Sequence, residues 1–128
     1  MKLNVMFIIA AVYGFVVGLP SILAPEAMAS MAGLQLPSNM LMGFRFLGTA
    51  EVGLGLIAWL VRDAEASKTR DGVVLGFTIY FALHAITSLY GQFTDTSVSG
   101  HWVMATLQGL IALGFIMAGN ANRTKSAT

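Results

Sequence analysis

Four apolar runs, each about as long as a bilayer is thick, constrain this chain more than any other feature of it. They cover residues 3–23, 39–61, 72–93 and 98–119, and about 20 apolar residues are what a helix needs to cross the hydrocarbon core. Backbone in contact with lipid must satisfy its own hydrogen bonds, so each run is expected to be a helix. The connections, 24–38, 62–71 and 94–97, hold too little chain for a domain outside the membrane. The expected fold is therefore all-α: one domain over residues 1–128, an antiparallel four-helix transmembrane bundle. Composition agrees, because 56% of the residues are apolar and only 10% are charged, whereas soluble domains carry roughly a quarter charged residues. A soluble fold this short leaves much of its area in water, so the main partner expected is the lipid bilayer.

Other classes are excluded or disfavoured. A formal net charge of +1 gives no electrostatic footprint for nucleic acid. Without cysteine, disulfides, thiolate metal sites, iron–sulfur clusters and thiol redox chemistry are ruled out. No phosphate-cradling glycine loop, HExxH, nucleophile elbow or aspartate-rich metal motif occurs. Two histidines and one glutamate spread over three helices are not a diagnostic metal or haem set, so neither a metal nor a cofactor is expected.

In the first connection, Pro25 and Glu26 read as a helix start and Gly33 as a stop. A short helix lying at the interface is expected there, with Met28 and Met31 dipping into it. Orientation follows from the basic residues, which are retained on the cytoplasmic side. Lys2, Arg62, Lys68, Arg70, Arg123 and Lys125 fall at one end of a four-span arrangement, while the other end has Glu26 and Asp95 and no base. Both termini are therefore expected inside. The sequence Ala27, Met28, Ala29 before Ser30 imitates a signal-peptide cleavage site. The first run exceeds a signal peptide's apolar core of roughly 7 to 15 residues, so the span is expected to be retained.

Helices in lipid associate through close packing at small residues. Gly14 with Gly18 and Gly72 with Gly76 each form a small-xxx-small pair, and Gly48, Gly55 and Ala58 make a stripe on the second span. At about 100° per residue, Glu51 lies on that same stripe and so points at a neighbouring helix.

Ionisable groups inside a span are functional-site hypotheses by default, and here they are Arg45, Glu51 and His84. Glu51 falls at the midplane, with Tyr13, His84 and Gln108 at similar depth on the other three helices. Tyr80, His84, Thr87, Ser88 and Gly91 share one face of the third span, and His101 and Gln108 coincide in direction on the fourth. Interhelical hydrogen bonding alone accounts for Tyr13, Thr87, Ser88 and Gln108. Arg45 is near enough to its span end to snorkel outward, or else pairs with Glu51 or a ligand anion. Glu51 has no such route, and must hold a proton, pair with Arg45 or His84, or face an internal cavity.

The segment RFLGTAEVGLGLIAW, Arg45 to Trp59, resembles small four-helix bacterial inner-membrane proteins of the DoxX-like kind and related uncharacterised families. Outside that segment the resemblance is a shared four-helix hydropathy pattern. It implies a bundle in the bacterial plasma membrane, sometimes an accessory subunit of a quinone-linked oxidoreductase. No redox ligand of such an assembly maps onto these residues, so only the architecture carries over.

The leading expectation is a non-enzymatic accessory or scaffold bundle that docks on itself as a homo-oligomer or joins a larger membrane complex. The alternative is binding or transport of a small hydrophobic molecule (a quinone, lipid or amphiphile) or of protons. Its anchors are Glu51, His84 and Arg45, with Tyr13, Tyr80 and Gln108 as orienting groups. An enzyme using Glu51 or His84 as general acid or base ranks last.

Overall fold

A computed structural model describes residues 2–31, 33–96, 98 and 100–126, with side chains followed to residue 122. The chain forms α1 (Leu3–Leu23), α2 (Pro25–Met31), a 3-10 turn (Ser38–Met40), α3 (Leu41–Val61), α4 (Lys68–Thr94) and α5 (Gly100–Ser126). Among the described residues there is no strand. Four of the helices are long and apolar enough to cross a membrane, and they form the expected antiparallel bundle, with α2 the expected short helix after the first span.

Local signals explain the boundaries. Ser67 caps α4 by accepting from the Arg70 N–H at 3.2 Å, and Asp71 sits in the first turn, where the helix dipole favours a carboxylate. The cap carries α4 four residues beyond the apolar run, so charge at a helix start extends it where hydropathy had ended it. After α2 the chain turns through Gly33 at φ +79°, with the Leu34 N–H donating to the Ala29 carbonyl at 2.8 Å. Only glycine takes that left-handed conformation without a Cβ penalty. Of the two methionines expected at the interface, Met31 is exposed and Met28 is half-buried.

Packing is uneven around the bundle. Along the α1–α3 seam, a Cβ at Gly14 would lie 2.5 Å from the Glu51 carbonyl oxygen and 2.8 Å from Gly55 Cα. One at Gly18 would lie 2.7 Å from the Gly48 carbonyl. These backbones touch because neither side carries a side chain, as the first pair and the α3 stripe require. The pairs α1–α3 and α4–α5 pack closely and meet through α1 and α5, whereas α3 and α4, consecutive in the chain, hardly approach each other. A shallow apolar groove lined by Leu54, Ile57, Val73, Gly76, Phe77 and Tyr80 marks the gap.

The expected packing role of Gly72 and Gly76 is not found. A Cβ on either would meet nothing within 4 Å. The buried face of α4 is Val74, Phe77, Phe81 and Ala85, and residues two positions from Val74 lie on the opposite side of a helix.

The bundle half nearer the termini is filled by aromatics. Phe7, Phe81 and Phe115 are at most 1% exposed. Phe77 stacks on Phe115 at 5.5 Å between ring centroids, and Phe7 meets Phe115 edge-on at 5.5 Å. The outer surface is apolar too, with Val16, Phe46, Leu60, Leu110 and Met117 all more than 60% exposed. A water-soluble monomer does not present a continuous surface of that kind. Trp59 and Trp102 stand at opposite ends, where an interfacial aromatic belt is expected, and the Arg62 guanidinium lies 3.9 Å above the Trp59 ring.

Candidate functional site

The site lies in the other half of the bundle, where the four long helices leave a cavity of about 170 Å³. Its closed end is polar and begins at mid-height. Glu51 is buried, 3% exposed, because its α3 face is the one pressed toward α1. Its side chain reaches across to α4, where the Tyr80 hydroxyl donates to Oε1. That bond crosses the gap between α3 and α4.

His84 sits one turn beyond Tyr80. Its Nδ1 is 3.2 Å from the Tyr80 carbonyl oxygen and its ring is 4.3 Å from the Tyr80 ring. A carbonyl only accepts, so Nδ1 carries the proton of this hydrogen bond, and in the neutral ring Nε2 is left as an acceptor.

On the opposite wall, the buried Gln108 amide bridges α5 to α1 and α4. Its neighbours fix its orientation, because His84 and Met104 offer only carbonyl oxygens at 3.2 Å. The amide nitrogen faces those carbonyls and Ser88 Oγ at 3.2 Å, and the amide oxygen accepts from the Tyr13 hydroxyl at 2.8 Å. Tyr13 and Tyr80 both stand edge-on against Phe81, with centroids at 5.3 and 5.2 Å. The polar floor thus rests on the top of the aromatic core.

The walls above are mostly apolar: Val17, Phe44, Leu47 and Met104, with Ser21 donating to the Val17 carbonyl at 2.7 Å. Met28 from α2, Leu34 and Val98 line the far end. His101 lies at that end, packed on Gly91, where a Cβ would come within 3.0 Å of its ring.

Four of the six residues singled out from sequence, Tyr13, Glu51, His84 and Gln108, line this one cavity. Tyr80 joins them through its bond to Glu51. The link among Glu51, His84 and Gln108 runs through Tyr80 and backbone carbonyls rather than directly between their side chains. Arg45 stands apart, exposed on α3 and absent from the cavity wall. Thr87 also faces outward and leaves the polar face of α4. Ser21, Phe44 and Met104 were not foreseen. A signal for Ser21 existed, since Tyr13, Val17 and Ser21 recur every four residues along α1 and all face the cavity. Among the described residues, no group of three His, Asp or Glu side chains is placed to hold a metal.

Compared with known proteins, the chain matches no family model, no curated protein and no solved structure.

Proposed function

We propose that this chain is a membrane-embedded binding protein for a small amphipathic molecule whose ring-sized polar end occupies the cavity above Glu51. The observation that carries this reading is a carboxyl 3% exposed to the surroundings yet lining an internal space. A side chain kept only to bind helices together needs no such space. Protein interiors are close-packed, and a void forfeits the contacts of every atom around it. Cavities near 150 Å³ admit a benzene-sized ring, so about 170 Å³ suits one ring with a short polar substituent.

Transport fits less well, because the aromatic cluster of Phe7, Phe77, Phe81 and Phe115 fills the bundle below the site. An enzyme is the weakest reading, since Tyr13, Tyr80, Gln108 and His84 are engaged with one another and with backbone carbonyls.

The membrane we propose is the bacterial plasma membrane, in keeping with the DoxX-like resemblance of the α3 segment. The basic end of the bundle faces the cytoplasm, and the cavity lies toward the outer leaflet. The accessory-subunit reading keeps one observation in its favour: Gly72 and Gly76 present a small-residue surface on α4 with nothing against it.

Native mass spectrometry of the protein released gently from its own membrane separates the two readings. A co-travelling small molecule that disappears in Glu51→Gln supports binding. A co-migrating polypeptide or a dimer, with no small molecule, overturns it in favour of a scaffold.

A further inference from the structure

Resting on the binding reading above, we propose that the molecule held at Glu51 is a protonated amine with an aromatic or similarly sized apolar body. Three observations converge on a cationic donor. The first is the direction of the hydrogen bonds around the closed end. Tyr80 donates to Glu51, Tyr13 donates to Gln108, the Gln108 nitrogen faces two carbonyls and Ser88, and His84 Nδ1 meets the Tyr80 carbonyl. These donors are already engaged within the protein. Beside Glu51 the groups that remain to receive a ligand are acceptors, the carboxyl itself and Nε2 of a neutral His84. The Ser88 hydroxyl, which accepts from Gln108, keeps its own proton one turn beyond His84. A carbonyl-bearing head group would find few donors there, whereas an ammonium finds two acceptors.

The second observation is charge. No lysine or arginine is among the described residues that line the cavity. Arg45, the base nearest in sequence, is exposed on the outside of α3. The titratable groups facing Glu51 are Tyr13 from α1 and Tyr80 and His84 from α4, with His101 from α5 farther off at the mouth. A buried carboxylate without a fixed counter-charge is costly, and an incoming ammonium supplies the missing charge.

The third observation is the wall. The rings of Tyr13 and Phe44 border the same space, and a phenyl or phenol ring that offers its face attracts a cation most when water is excluded. The small, mostly apolar remainder of the cavity sets the size of the body attached to that amine.

The test uses the full chain in phosphatidylcholine nanodiscs, with empty nanodiscs as the partition control. Three probes of nearly equal size are compared by equilibrium dialysis: benzylammonium, benzyl alcohol and ethylbenzene. Benzylammonium is expected to bind about tenfold or more tightly than benzyl alcohol. Glu51→Gln should bring it down to the level of the alcohol, leaving ethylbenzene unchanged as evidence that the cavity is intact. Tyr80→Phe keeps the carboxyl and frees its second acceptor site, so it should retain or increase the preference for the ammonium. Should Glu51→Gln lose all three probes through misfolding, the preference in Tyr80→Phe alone decides the matter. Equal binding of ammonium and alcohol to the native chain overturns the cationic assignment while leaving the binding site in place. Binding of none of the three overturns the binding reading itself.

Discussion

The half of the bundle that carries the termini and the half that carries α2 are built from the same four helices, yet one is filled and the other hollow. Near the termini, Phe7, Phe77, Phe81 and Phe115 project inward from three helices and meet ring to ring. Toward α2, Phe44 and Leu47 line the space together with Val17, Ser21, Ser88 and Met104, and the last four are too small or too slender to meet across the same distance. The hollow half keeps its shape through its wall. Gly14, Gly18, Gly48 and Gly55 bring α1 and α3 into backbone contact, and that contact is independent of what stands in the middle. One region is stable because its centre is full, the other because one side of it is fused.

The sharpest way to break this contrast is to wedge the wall open. Gly14→Leu places side-chain atoms where the Glu51 carbonyl and Gly55 Cα already lie. A loss of more than about 3 kcal/mol is expected, since rigid backbone cannot yield as a side chain can. Unfolding in mixed micelles, followed by tryptophan fluorescence, measures it; a variant of native stability would mean that the seam is not what holds the hollow half.

Emptying the filled half comes next. Phe115→Ala is expected to cost about 2 kcal/mol in the same measurement, chiefly the cavity part of the usual penalty because lipid offers little hydrophobic driving force. The matching truncation in the hollow half, Met104→Ala, enlarges a space that already exists and should cost less than about 1 kcal/mol. Equal costs for the two would erase the distinction between the halves.

Smaller again is the polar floor. Gln108→Leu removes the bridge to Tyr13 and Ser88, and buried bonds of this kind in membranes average about 0.6 kcal/mol each. A loss near 1 kcal/mol is expected, together with a shift in Tyr13 fluorescence or its vibrational signature. The least effect belongs to Gly76→Ala, whose new methyl meets nothing. It should change monomer stability by less than about 0.5 kcal/mol, and a larger change would show that this surface is covered by a partner.

Much of the architecture was readable because membrane helices follow a length rule and a small-residue rule. The four apolar runs, the short helix after Pro25 and the inward direction of Glu51 all follow from spacing and composition. What spacing does not tell is which of two small-residue pairs finds a neighbour. Gly14 with Gly18 and Gly72 with Gly76 look alike in sequence, and only the bulk of Val74, Phe77 and Phe81 decides that α4 turns its glycines outward. Glu51's partner was equally hidden. Arg45 and His84 were the charged candidates, but Arg45 points away and the donor is Tyr80, a neutral side chain whose reach depends on the α3–α4 separation. The cavity itself was not legible, since an empty volume is a sum over side chains from every helix and leaves no local signature.

The separation of α3 from α4 has a mechanical consequence. The bundle is a pair of two-helix jaws, α1 with α3 and α4 with α5, hinged where α1 meets α5 and latched on the open edge by the Tyr80–Glu51 bond. A molecule held at Glu51, as proposed above, shares that carboxyl with the latch. In the complex proposed above, ligand and latch meet on one side chain, so the width of the α3–α4 groove is the dimension to compare between the protein with and without its ligand.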